Sequence, residues 1–159
     1  MKKVIVIICS LFIFAALFGC ASEAQQHENN FEVGIDTLSD IQANETFEII
    51  GFLKNSSKHT VKISHGSDIF TYEIFDAEGT LIPPQNHILA RNDIGYLREL
   101  QPDEVYRNNG KGQRSKEYYE YVIAKPGRYT VKTKVEFRLE NEGNKAEQIV
   151  SEPYTFIVN

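Results

Sequence analysis

Residues 129–137 read YTVKTKVEF. Tyr129, Val131, Thr133, Val135 and Phe137 share one parity, and Thr130, Lys132, Lys134 and Glu136 share the other. Successive side chains of a strand point to opposite faces, so this period of two sets an apolar row against a core and a charged row in water. Such alternation belongs to an antiparallel sheet with one solvated face. Just upstream, Pro126-Gly127-Arg128 supplies a turn, since Pro presets φ and Gly tolerates a positive one. The Tyr that follows can bury its ring and return its hydroxyl to the turn backbone, forming a tyrosine corner. Tyr129 is therefore read as structural.

The same period runs outward from this strand. Downstream it appears in Tyr154, Phe156 and Val158. Upstream, Phe31, Val33 and Ile35 alternate with Glu32, Gly34 and Asp36. Phe47, Ile49 and Leu53 share a parity, with Ile50 and Phe52 on the other, and Val61 and Ile63 alternate with Lys62 and Ser64. Phe70, Tyr72 and Ile74 lead into the turn Asp76-Ala-Glu-Gly79, then Leu81 and Ile82. Further turn signals lie at residues 54–58, 108–112 and 141–144. Beyond residue 30 no stretch of ten residues carries a 3.6 period. These patterns predict an all-β antiparallel β-sandwich of about seven to nine strands over residues 31–159. Pro83-Pro84 through Gly95 is the least regular part and is expected to cross between sheets.

Four segments carry a resemblance. They are Leu53-Lys-Asn-Ser-Ser-Lys-His-Thr-Val61, Tyr72-Glu-Ile-Phe-Asp-Ala-Glu-Gly-Thr-Leu81, Leu100-Gln-Pro-Asp-Glu104 and Lys125-Pro-Gly-Arg-Tyr-Thr-Val131. In this order they resemble the intracellular proteinase inhibitor family. The resemblance implies an immunoglobulin-like sandwich and, more finely, a proteinase-inhibitor-like role. It also implies company with lipoprotein signals, among which the family occurs. An activity does not follow from a fold.

The N-terminus bears on location. Lys2 and Lys3 precede Val4 to Phe18, fifteen residues that are apolar except for Ser10. A membrane-spanning helix usually needs about 20 apolar residues and a signal-peptide core about 7 to 15. The length favours a signal peptide over residues 1–19, with the lysines on the cytoplasmic side. Leu17-Phe18-Gly19-Cys20 resembles a bacterial lipobox. That resemblance makes Leu17 and Gly19 the cleavage motif and Cys20 the lipid attachment site. An uncleaved anchor and plain secretion with cleavage near Ala21 are the competing readings. Residues 20–30 read as the lipidated cysteine and a flexible tether, whose ten residues have an end-to-end distance of about 17–19 Å.

The chain has two cysteines, Cys9 and Cys20. Cys9 would leave with the peptide, so no disulfide is expected in the domain. The chain carries 17 basic and 22 acidic residues; without Lys2 and Lys3 the balance is 15 against 22. This acidity argues against nucleic acid and against polybasic contact with anionic lipid. The expected membrane contact is the acyl group on Cys20.

Catalytic signals are weak. His59 and His65 share a parity but sit six residues apart, roughly 20 Å along a strand, too far for one metal. His27 falls in the tether. Ser64-His65-Gly66-Ser67-Asp68 gathers the residue types of a triad, but triads assemble from distant segments. It is read as a hairpin-like turn. Asp36, Asp40, Asp103 and Glu104 read as turn residues, and Asp76-Ala-Glu-Gly79 offers too few ligands for calcium. Asn44-Glu-Thr46 and Asn55-Ser-Ser57 fit a glycosylation pattern by chance. No cofactor, metal or catalytic residue is expected.

The remaining candidate is Tyr118, Tyr119 and Tyr121, an interaction surface beside the basic loop of residues 107–116. Alternation puts Tyr119, Tyr121 and Ile123 on one side and Tyr118, Glu120 and Val122 on the other, and core filling claims one set. The expected function is a non-catalytic, membrane-anchored extracytoplasmic interaction module with a protein partner. The alternative class is a solute-binding component or cell-envelope enzyme whose site leaves no motif.

Overall fold

The computed structural model describes residues 30–84, 95–110, 113 and 119–159. Leu17, Gly19, Cys20 and Tyr118 lie outside them. Twelve strand segments are present: β1 (Phe31–Ile35), β2 (Thr46–Glu48), β3 (Gly51–Asn55), β4 (Val61–Gly66), β5 (Phe70–Phe75), β6 (Leu81–Ile82), β7 (Gly95–Leu100), β8 (Val105–Tyr106), β9 (Glu120–Val122), β10 (Gly127–Leu139), β11 (Lys145–Val150) and β12 (Tyr154–Val158). The helical content among the described residues is one 3₁₀ turn, Glu140–Glu142.

The count exceeds the expected seven to nine because several strands are interrupted. β4 and β5 both pair antiparallel with β10 along one edge, and β11 and β12 both pair antiparallel with it along the other. β6 pairs with β5 while β7 pairs with β4, so these two share the next line out. One sheet therefore has four lines: β6 with β7, β4 with β5, β10, and β11 with β12. Facing it are β1, then β2 and β3, then β8 and β9, where β3 pairs with β1 and β8 and β2 pairs with β9. A parallel bridge from Ile41 to Val158 ties the chain after β1 to the edge of the four-line sheet. Three lines against four, with antiparallel ladders, make an immunoglobulin-like sandwich.

This topology corrects two expectations. The strands that flank the stretch from Pro83 to Gly95, β6 and β7, lie on one sheet rather than two, and residues 85–94 between them lie outside the described residues. Among the described residues the chain changes sheets at residues 55–61, 100–105 and 122–127. Nor is Ser64 to Asp68 a hairpin-like turn. β4 and β5 run in the same direction beside β10, so the chain bulges and continues.

β10 is longer than the nine-residue pattern indicated, with thirteen residues whose inward row runs Tyr129, Val131, Thr133, Val135, Phe137, Leu139. Tyr129 and Val131 join Ile35, Ile49, Ile74 and Phe156 in one apolar cluster. Val135, Phe137 and Leu139 join Phe31, Leu53, Ile63 and Leu100 in another. Tyr72 packs against both. Full burial of each such aliphatic side chain contributes about 1.5–3 kcal/mol. The Tyr72 hydroxyl accepts the Gly51 N–H at 2.6 Å. A Cβ on Gly51 would lie 2.9 Å from both that oxygen and the Phe70 ring, so the sheets close only over a glycine there.

Turns follow local chemistry. All six non-glycine residues with positive φ among those described are Asp or Asn: Asp40, Asn44, Asp68, Asp103, Asn108 and Asn144. These two residues tolerate the left-handed region best after glycine. Tyr129 forms the tyrosine corner, its hydroxyl donating to the Lys125 carbonyl at 2.9 Å while its ring stacks on Phe156. Tyr129→Ala should cost roughly 3–5 kcal/mol and Tyr129→Phe about 1 kcal/mol, read as shifts of urea melts. Superimposable melts of all three forms would contradict this packing.

Candidate functional site

The bulge between β4 and β5 shapes a concavity. Ser64 stands opposite Arg138 and Phe70 opposite Val135. Residues 65–69 therefore face only Glu136 and Phe137, and three residues are surplus. Asp68 absorbs the bend at φ 57°, and Glu136 N–H donates to the Ile69 carbonyl at 3.2 Å where the chain rejoins the sheet. The result is a groove of about 590 Å³ whose charged lining is Asp68, Glu136, Arg138 and Glu147. The Ser67 hydroxyl in its lining has no hydrogen-bond partner among the described residues.

The Ser, His and Asp of this bulge do not assemble into a triad. His65 is buried, with Nδ1 2.6 Å from the Gly66 carbonyl oxygen and Nε2 3.0 Å from the Tyr106 hydroxyl. Both ring nitrogens are therefore engaged away from Ser64, Ser67 and Asp68. The Ser64 hydroxyl is bonded to Glu140. The residues that His65 does meet are Tyr96, stacked on its ring, and Tyr106, whose hydroxyl also reaches Asn108 at 2.7 Å. Arg98 lies over the Tyr106 ring at 5.3 Å. The sequence reading missed this group. Tyr106 and Asn108 do share a parity, but nothing local shows that β8 faces His65 across the sandwich.

Burial holds the His65 pKa below the ordinary 6.5; the Gly66 carbonyl opposes the shift and the Arg98 charge adds to it. Burial raises the Tyr106 pKa, opposed by a hydrogen bond from Arg98, and burial pushes the Tyr121 hydroxyl up to about 12.

The tyrosine surface needs correction. Tyr121 is 8% exposed and packs with Phe47 and Tyr72, so the core claims the set that holds Tyr121 and Ile123. Tyr119 is half-buried, and its carbonyl accepts the Ile49 N–H at 2.9 Å. Only Tyr119 of the described pair keeps surface.

Asp76 and Glu104 serve turns, and Asp36 a long-range ion pair. Asp76 Oδ1 accepts N–H bonds from Glu78 at 3.1 Å and Thr80 at 2.7 Å. Asp36 takes a two-pronged bond from Arg107, with Nε 2.8 Å from Oδ2 and Nη2 2.9 Å from Oδ1. Glu104 accepts the Gln101 N–H at 2.8 Å. Asn55 is a structural residue, not an exposed glycosylation acceptor. Its amide donates to the carbonyls of His59 at 2.8 Å and Leu100 at 2.9 Å, and its oxygen accepts from Ser57.

No protein-family model matches the chain, and no curated protein matches it. Among solved structures, the chain is similar to an ASH/PapD-like domain of human CEP192, with 14% identity, 82% of this chain and 86% of that one covered, and a TM-score of 0.40. It is also similar to the ApaA protein of Bordetella pertussis, with 12% identity, coverage of 80% and 91%, and a TM-score of 0.42. A third is the CARDB domain of the PF1109 protein of Pyrococcus furiosus, with 14% identity, coverage of 77% and 85%, and a TM-score of 0.31. All three scores lie below 0.5, and none bears on what this chain binds.

Two outcomes follow from these contacts. Asn55→Ala strands the buried Leu100 carbonyl, and a buried group left unpaired costs about 1–3 kcal/mol. Its urea midpoint should fall accordingly, and a melt matching the parent would show that the network carries no stability. For His65, the folded chain binds the proton more weakly than the unfolded chain does. Its stabilising contribution is therefore complete above pH 6.5 and is lost as pH falls from there through the lower folded value. Parent protein should lose urea resistance on acidification over that window, and His65→Gln should lose less. Equal slopes in the two forms would remove His65 as the cause.

Proposed function

We propose that this chain is a membrane-anchored extracytoplasmic lipoprotein whose sandwich is a non-catalytic protein-interaction module. The observation that carries the anchoring is Leu17-Phe18-Gly19-Cys20 at the end of a fifteen-residue apolar stretch preceded by Lys2 and Lys3. The stretch suits a signal core better than a comfortable span. No cysteine follows Cys20, so its thiol has no disulfide partner within the mature chain. With 22 acidic against 17 basic residues, electrostatic adhesion to anionic lipid offers no substitute for acyl chains.

The interaction role is supported by the sandwich itself. An immunoglobulin-like fold is compatible with such a module, and this one devotes its interior to two apolar clusters. Contact with a partner then falls to loops and sheet faces. Tyr118 and Tyr119 remain the proposed surface, Tyr121 having gone to the core. The finer version, a proteinase-inhibitor-like role, rests on the four segments of the sequence resemblance. Those segments span β3 to β4, β5 to β6, the link from β7 to β8, and the start of β10.

Cys20→Ser tests the anchor. The parent should incorporate labelled fatty acid and fractionate with membranes, and the variant should do neither. A variant that labels and fractionates like the parent overturns the lipoprotein reading. The purified domain assayed against a serine proteinase tests the finer role, and undiminished cleavage at excess domain removes it.

A further inference from the structure

His65 lies where β4, the edge strand β7 and the opposing strand β8 meet. Nδ1 sits 2.6 Å from the Gly66 carbonyl oxygen. A carbonyl only accepts, so Nδ1 carries a proton. Nε2 faces the Tyr106 hydroxyl at 3.0 Å, and the same hydroxyl lies 2.7 Å from Asn108 Oδ1. The Asn108 amide group points the other way and donates to the Gln113 carbonyl at 3.2 Å, which turns its oxygen toward Tyr106. Gln113 is itself tied to Gly110, its N–H donating to the Gly110 carbonyl at 3.0 Å and its Oε1 accepting the Gly110 N–H at 3.0 Å.

The hydroxyl has a single proton to give. With His65 neutral, Nε2 is a bare acceptor. The Tyr106 proton then serves either Nε2 or Asn108 Oδ1, and the other contact sets two acceptors face to face. With His65 protonated, Nε2–H donates to the Tyr106 oxygen and Tyr106 O–H donates to Asn108. Every donor then meets an acceptor. We propose that His65, Tyr106 and Asn108 form a proton-controlled latch between the two sheets, which holds Asn108, and through it Gln113, more firmly when His65 is protonated.

The surroundings set when it engages. From β7, Arg98 and Tyr96 face the ring, and Arg98 opposes a second positive charge. From β8 comes Tyr106, neutral because burial raises its pKa. The groove on the other side brings Asp68, Glu136, Arg138 and Glu147. Burial and Arg98 keep the ring neutral near pH 7, so the latch closes on acidification. The completed hydrogen-bond chain recovers part of what burying the charge costs.

The test is a pH titration of isotope-labelled protein followed by NMR. At high pH the His65 ring should be the Nδ1–H tautomer. As it protonates, the Asn108 side-chain amide and the Gln113 backbone amide should shift with the same midpoint. Exchange at the Gly110 and Gln113 amides should slow about two- to tenfold, the effect of one net hydrogen bond. In Tyr106→Phe, which keeps the ring, His65 should still titrate while Asn108 and Gln113 no longer follow. The latch is overturned if those signals stay still in the parent, or if they follow equally in the Phe variant. A ring that stays neutral throughout the folded range, or an Nε2–H tautomer at high pH, overturns it as well.

Discussion

β10 must present an apolar face to two clusters at once along thirteen residues, roughly 43 Å of extended chain. Strands twist, and a strand this long cannot keep straight neighbours in register along its whole length. Both neighbouring lines break. On one side residues 65–69 bulge opposite Glu136 and Phe137. On the other, residues 151–153 stand opposite Lys132 and Thr133, one residue in surplus. Bulges bend a strand and increase its local twist. The two breaks let the other three lines of the sheet follow a single long strand.

Each break leaves polar groups inside, and each is answered by a specific side chain. Beside Thr133, where the ladder passes from β11 to β12, the Ser151 hydroxyl takes the Thr133 N–H at 3.0 Å and the Ser151 N–H reaches the Thr133 carbonyl at 2.8 Å. Asn55 does the same work where the chain leaves one sheet for the other, tying its own loop to the end of β7. At the β4–β5 bulge the residue is His65. It alone of the three can change charge near neutral pH, which is why that break can respond to protons while the other two stay static. Buried polar groups are costly unless paired, so these residues mark where the fold departs from a plain ladder.

The alternation of residues 129–137 was legible because burial on one face writes itself as a period of two. The parity assigned to Tyr129, Val131, Val135 and Phe137 holds in the structure, as does the tyrosine corner. The strand count was not legible, because a bulge is a change of register with a distant partner. Nothing between Ser64 and Asp68 separates a hairpin from a bulge until β10 lies beside it. The same limit hid which tyrosine set the core would take. Alternation offered two equal choices, and the pairing of Phe47 with Tyr121 made the selection.

What the chain by itself determined is therefore local: an all-β composition, the turn positions, the Asx residues at left-handed corners, and the apolar face of each strand. These depend on φ preferences and on side-chain direction, both properties of neighbouring residues. What only the tertiary structure decided is which faces meet. His65 and Tyr106 are 41 positions apart and sit on opposite sheets, and their bond exists because the sandwich closes. Its proton count, and with it the hold on Asn108, depends on groups that no sequence window contains together.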